Sequence, residues 1–145
     1  MDSHEASPSV VADRLHSAAI HLLRRVRTED AATGLSPARL SALSVVVFAG
    51  PLTLGELALA EQVQPPTMTR IVDGLVRDGL VRKQPGADRR TVAISATPKG
   101  RRLLQRGRER RIAVLSERLE EVARDELPLL ARAAELMEAA SRTRE

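Results

Sequence analysis

"PGADRRTVAISATPKG", residues 85–100, interrupts a chain otherwise rich in helix-forming Ala, Leu and Arg. It opens with the turn pair Pro85-Gly86, passes an acid and two arginines, and runs into the alternating segment "RTVAISAT". The preceding "LVRKQ" is equally β-prone, so two strands joined by turn residues form a hairpin with Arg89 and Arg90 at or near its tip. Thr97 and Pro98 then start a helix, an N-cap followed by a residue whose missing N–H costs nothing in a first turn.

The spacing predicts helices on both sides of this stretch. Upstream, Val11, Leu15, Ala18, Ala19, Leu22 and Val26 line one face of a first helix from Pro8 to about Thr28. Ser36 and Pro37 open a second, which Gly50-Pro51 ends, and Thr53 and Glu56 stand at capping-box spacing at the head of a short third. In the fourth, Met68, Ile71, Val72 and Leu75 recur at i, i+3, i+4, i+7, and Gly79 sits where a left-handed C-cap belongs. Downstream, a long helix carries Leu103, Leu104, Ile112, Leu115 and Leu119, with its pattern broken near Gly107, and ends before Asp125. Asp125 is the expected cap of a last helix that tolerates Pro128 in its first turn.

The chain's 145 residues, 43% of them hydrophobic, suffice for one cored unit. With no cysteine, disulfides and cysteine-based zinc or nucleophile sites are excluded. The polar, acidic start "MDSHEASPSV" lacks a secretory pattern and no apolar run reaches membrane-spanning length, so a cytoplasmic protein with no membrane partner is expected. Arginine outnumbers lysine 21 to 2, which with abundant alanine points to a GC-rich bacterial genome. Net charge is +4, but Gln64–Arg111 holds thirteen Lys/Arg against four acids, a balance of +9 that leaves −5 elsewhere. A basic block in an acidic chain fits a polyanion partner; charge alone is equally compatible with solvated helix faces.

Two short helices joined by a tight turn, followed by a basic-tipped hairpin, make a winged helix-turn-helix. The major groove of double-stranded DNA admits one helix, and a neighbouring hairpin reaches backbone or minor groove. On the fourth helix Thr67, Thr69 and Arg70 are candidates for groove contacts, Arg70 pairing with guanine or clamping a phosphate. Pro65 and Pro66 remove two N–H groups from the helix start, which weakens phosphate binding there and shifts weight to Gln64 and Thr67. Arg89 suits a phosphate. Arg77, Lys83, Arg101 and Arg102 are further candidates for DNA backbone, while the rest of the run from Arg106 to Arg111 reads as solvated surface.

"DRRTVAISATPKG" resembles the wing signature of the MarR family of bacterial transcription regulators: Asp-any-Arg, five residues, Leu-Thr, two residues, Gly. Asp88 and Arg90 fill its first part, Thr97 and Gly100 its last, and Ala96 replaces the usual leucine. "LTLGELALAEQVQPPTMTRIVDGLVRDGLVRK" is similar to the family's helix-turn-helix, although Pro65-Pro66 departs from its serine-rich helix start. The resemblance implies a mainly α fold with a small β-hairpin wing. It also implies that Arg90 enters or borders the minor groove and that Asp88 orients the wing by a salt bridge. Residues 1–34 and 98–145 would form a helical dimerisation region intertwined with a winged module over 35–97. The function implied is sequence-specific repression by a homodimer on a pseudo-palindromic operator, released in many members by a small aromatic acid. The apolar stripes of the outer helices independently need a partner.

Phe48, the sole aromatic, is expected in the core beside the first helix, with an effector contact as the alternative; His16 is the other weak candidate for an effector pocket. With no Tyr or Trp, such a pocket would rely on aliphatic surface plus a cationic group for an anion, and an effector-insensitive regulator stays open. His16 and His21 are five apart, poorly placed for one metal, and no cofactor is implied. No catalytic motif emerges; Glu120-Glu121 reads as solvated surface. A winged module that docks on protein would predict a neutral or acidic wing, against the charge found.

Overall fold

The computed structural model describes residues 7–142. Its order is α1 (Pro8–Val26), a 3-10 helix (Arg27–Thr33), α2 (Pro37–Ala49), β1 (Leu52–Thr53), α3 (Leu54–Ala60), α4 (Pro65–Arg77), β2 (Val81–Pro85), β3 (Val92–Ala96), α5 (Pro98–Ala123), a 3-10 turn (Arg124–Glu126) and α6 (Leu127–Ser141). The fold is mainly α, with a three-stranded antiparallel sheet in the order β1-β3-β2.

Local chemistry sets the boundaries. Ser7, Ser36 and Thr97 each accept an N–H from the first turn of α1, α2 and α5, with proline behind them. At α3 the capping box is complete: Thr53 N–H donates to Glu56 Oε2 at 2.8 Å, and Glu56 N–H donates to Thr53 Oγ1 at 3.2 Å. The Thr53 backbone bond first, then its hydroxyl, holds the Glu56 carboxyl below its ordinary pKa. Gly34 and Gly79 take φ of +71° and +70°, conformations that few side chains tolerate.

Leu43 and Val46 of α2, Leu57 of α3, Met68, Val72 and Leu75 of α4, Leu80, and Val81 and Ile94 of the sheet form one buried cluster. Every buried apolar side chain among the described residues lies between Ala42 and Ala96. By contrast α1 and α6 bury no residue, and α5 buries only Gly100 and Gly107.

Several expectations are corrected. The α-helical part of α1 stops at Val26 and tightens into the 3-10 helix. The broken apolar pattern near Gly107 does not break α5, which runs through this buried glycine beside Thr33 and the side chains of Arg110 and Arg111. Arg111 pairs with Asp30 there, fastening the 3-10 helix to α5. Asp125 caps nothing: it lies inside the 3-10 turn, and Glu126 takes the N-cap position of α6 without a side-chain bond. Phe48 is 80% exposed rather than packed in the core, because the buried positions of α2 are Ala42, Leu43 and Val46 and Phe48 falls off that stripe. Strand β1 has no counterpart in the sequence reading; it pairs Leu52 and Thr53 with Ile94 and Ala93.

Candidate nucleic-acid interface

α4 follows α3 through a tight turn in which Gln62 takes φ +54° and Val63 N–H bonds the Ala58 carbonyl at 3.0 Å. The buried stripe Met68, Val72, Leu75 turns the opposite face outward, where Pro66, Arg70, Asp73 and Arg77 recur at i, i+4, i+7, i+11 and are all exposed. The start of this helix carries fewer anion-binding groups than two prolines alone would dictate. Thr67 and Met68 N–H both bond the Gln64 carbonyl, at 3.0 and 3.1 Å, so no backbone donor of the first four positions points outward unpaired. Gln64 makes no capping bond and keeps its side-chain amide available. Thr67 is exposed, while Thr69 donates its hydroxyl proton to the Pro65 carbonyl at 3.0 Å, leaving it lone pairs and a methyl group to offer a groove.

Two buttresses hold α4. Arg39 lays its guanidinium over Gly74, where any Cβ would collide with it, and reaches Asp78 at 3.5 Å. Neither residue stood out in the sequence, although a glycine inside a helix is itself a sign of close approach. At the other end, Lys99 donates to the Asp78 carbonyl at 2.6 Å, and Thr97 donates to the Gly79 carbonyl at 2.6 Å while accepting from Gly100 N–H at 3.1 Å. A Cβ on Gly100 would strike the Leu80 carbonyl. Thus the start of α5 satisfies carbonyls that the end of α4 would leave bare.

In the wing, β2 and β3 pair from Val81↔Ala96 to Pro85↔Val92, so Pro85 still belongs to the ladder and the reversal is made by Gly86–Thr91. Gly86 N–H bonds the Thr91 carbonyl and Thr91 N–H the Asp88 carbonyl, both at 2.9 Å. Asp88 orders this turn by accepting the Arg90 backbone N–H at 3.1 Å. The expected salt bridge is not its device: a short side chain folded onto its own turn reaches backbone first. Arg89 and Arg90 are exposed, and their side chains bond nothing among the described residues. Lys83 is held by Asp73 at 2.9 Å, whereas Arg70 and Arg77 carry no ion pair among the described residues.

Residues 35–92 match the model of the MarR family. An HTH-type transcriptional regulator of Mycobacterium tuberculosis is 36% identical over 132 residues, spanning 90% of this chain and 92% of its own. This chain belongs to the MarR family. Its structure is similar to that of another M. tuberculosis protein, with TM-score 0.77 and 26% identity over 99% of this chain and 100% of the other. It shares its fold with the multiple antibiotic-resistance repressor of Listeria monocytogenes, at TM-score 0.79 and 18% identity over 97% of each. The protein is therefore a DNA-binding transcriptional regulator of the winged helix-turn-helix type and not an enzyme. Among the described residues no single helix is long and apolar enough to cross a membrane.

The remaining candidates of this MarR-family chain fall elsewhere. Arg101 donates to the Ala96 carbonyl at 3.3 Å, and with Arg102 it lines a cleft between α2 and α5 that also contains Phe48, Val47, Leu104, Arg108 and Arg111. His16 is exposed on α1 and does not line that cleft; His21 lies in a separate groove with Leu22, Leu115 and Leu119.

Proposed function

We propose that the protein is a cytoplasmic repressor that binds a pseudo-palindromic operator as a homodimer. The observation that carries this is the uncovered apolar surface of the outer helices: Val11, Leu15, Leu22 and Leu23 of α1, Ile112 of α5, and Leu129, Leu130, Leu136 and Met137 of α6 are all exposed in one chain. A second copy burying the same faces would resolve that exposure and set two α4 helices about 34–36 Å apart, one turn of DNA. Gln64, Pro66, Thr67, Thr69 and Arg70 would then face base edges. Asp88 would shape the wing that carries Arg89 and Arg90 to backbone or minor groove, and Arg77 would meet phosphate. A dimer seated across a promoter excludes polymerase by occupancy, which makes repression the expected sign.

The cleft beside Phe48 supports release by an anionic effector. It offers the Phe48 ring, two aliphatic side chains and, besides Arg101 and Arg111, which bond the Ala96 carbonyl and Asp30, the arginines Arg102 and Arg108 as donors for a carboxylate on an apolar body. Sedimentation at micromolar concentration and anisotropy titrations on duplexes from the gene's own promoter region, over a salt series, test the proposal. A monomer, or no preference over random duplex, refutes it. Benzoate as a probe tests the cleft: loss of operator binding in the parent chain but not in an Arg102→Ala, Arg108→Ala variant supports effector release.

A further inference from the structure

Asp73 is the only acid within α4, and it lies in the middle of the outward face, between Arg70 and Arg77. A bare carboxylate there would be repelled by DNA phosphates, or would draw one of those arginines aside, since three- and four-residue separations on a helix are where ion pairs form. Neither happens. Lys83, reaching across from β2, donates to Asp73 Oδ1 at 2.9 Å, and Oδ2 carries no hydrogen bond from the described residues. Both side chains remain about half exposed. The result is a carboxylate whose charge is compensated and whose orientation is fixed from the side. Its second oxygen is left as an acceptor on the face that meets DNA.

In the major groove an acceptor-only group finds donors in the N4 amino group of cytosine and the N6 amino group of adenine. Adenine sets its N7 lone pair beside N6, which opposes a carboxylate; cytosine sets no acceptor beside N4 on its own edge. We propose that Asp73 is a specificity-determining residue that accepts a hydrogen bond from a cytosine N4 amino group, and that Lys83 is the positioning residue that holds it there. The inference rests on operator recognition as proposed above.

The test is selection from a random duplex pool by the full-length protein at one salt concentration, with the parent chain and the Asp73→Asn, Asp73→Ala and Lys83→Arg variants. The parent should prefer cytosine by about tenfold at one position of each half-site. Asp73→Asn should transfer that preference to adenine, because a side-chain amide both donates to N7 and accepts from N6. Asp73→Ala should flatten that position and leave the others unchanged, while Lys83→Arg should retain cytosine. An unchanged cytosine preference in Asp73→Asn and Asp73→Ala overturns the inference, as does a uniform gain in affinity for every sequence, which would make Asp73 a repelling charge only. If the parent selects no sequence, operator recognition itself falls and takes this inference with it. If the parent selects one that the variants share, only the role of Asp73 falls. Melting curves accompany each variant, and the isosteric Asp73→Asn decides the matter should Asp73→Ala fail to fold.

Discussion

The winged lobe and the outer helices solve the problem of burial in opposite ways. Between Ala42 and Ala96 the chain closes its own core, with Leu43, Leu57, Met68 and Leu75 fully out of water. The helices flanking that lobe are amphipathic, yet α1 and α6 bury nothing in one chain. The first region owes its stability to its own contacts. The second leaves its apolar side chains exposed in one chain, and in the proposed homodimer its stability would depend on concentration.

The largest effect should come from charging the uncovered face. Leu23→Glu with Leu130→Glu removes four partly exposed leucines from the proposed homodimer, about 3–5 kcal/mol of apolar burial, and adds four charges to the face it would cover. Sedimentation should show monomer at micromolar concentration, with the winged lobe still folded by circular dichroism. Leu57→Ala, inside the self-sufficient lobe, should instead cost about 2–5 kcal/mol, and the loss should persist at any protein concentration in denaturant titrations. If the first change unfolds the lobe, or if raising the concentration rescues the second, the two regions are not independent.

Smaller effects are expected in the wing and at the head of α3. Arg90→Ala should leave melting unchanged, weaken operator binding and lower the salt slope by roughly one per wing, measured by anisotropy across salt. An unaltered slope would remove Arg90 from the interface. The smallest effect concerns Glu56, whose carboxyl is held below its ordinary pKa by Thr53. Its stabilisation is fully present above the unfolded-state value and is lost as pH falls through the lower folded one. Glu56→Gln should therefore be less stable than the parent near neutrality, with the difference closing as acid protonates the parent's carboxyl.

Much of this was legible because the signals are local. Ser36-Pro37, Thr53 with Glu56, Thr97-Pro98 and Gly79 each satisfy or permit backbone within a few residues, and the structure uses all of them as such. What escaped depends on distant chain. β1 is two residues long, too short for any alternation, and exists because β3 offers it an edge. Gly74 is a seat for Arg39, 35 positions earlier in the chain. Gly107 broke an apolar pattern without breaking a helix, and it is buried where α5 passes Thr33 of the 3-10 segment. Phe48 misled by type: an aromatic residue is usually a core anchor, but here helix phase places it outside. At the candidate interface the exposure of Arg70, Arg89 and Arg90 could be anticipated from periodicity and turn chemistry. The spent hydroxyl of Thr69 and the backbone role of Asp88 could not, because each rests on a choice among several partners within reach.

The join between α4 and α5 carries a mechanical consequence. Lys99, Thr97 and the bare Cα of Gly100 weld the tail of α4 to the head of a helix 26 residues long. At 1.5 Å per residue that beam measures about 39 Å, so pivoting it by about 5° swings its end through roughly 3 Å, close to the 3.4 Å step between base pairs along one strand. In the proposed complex with DNA, a tilt that small at the far end would be geared up to one rung of the double helix.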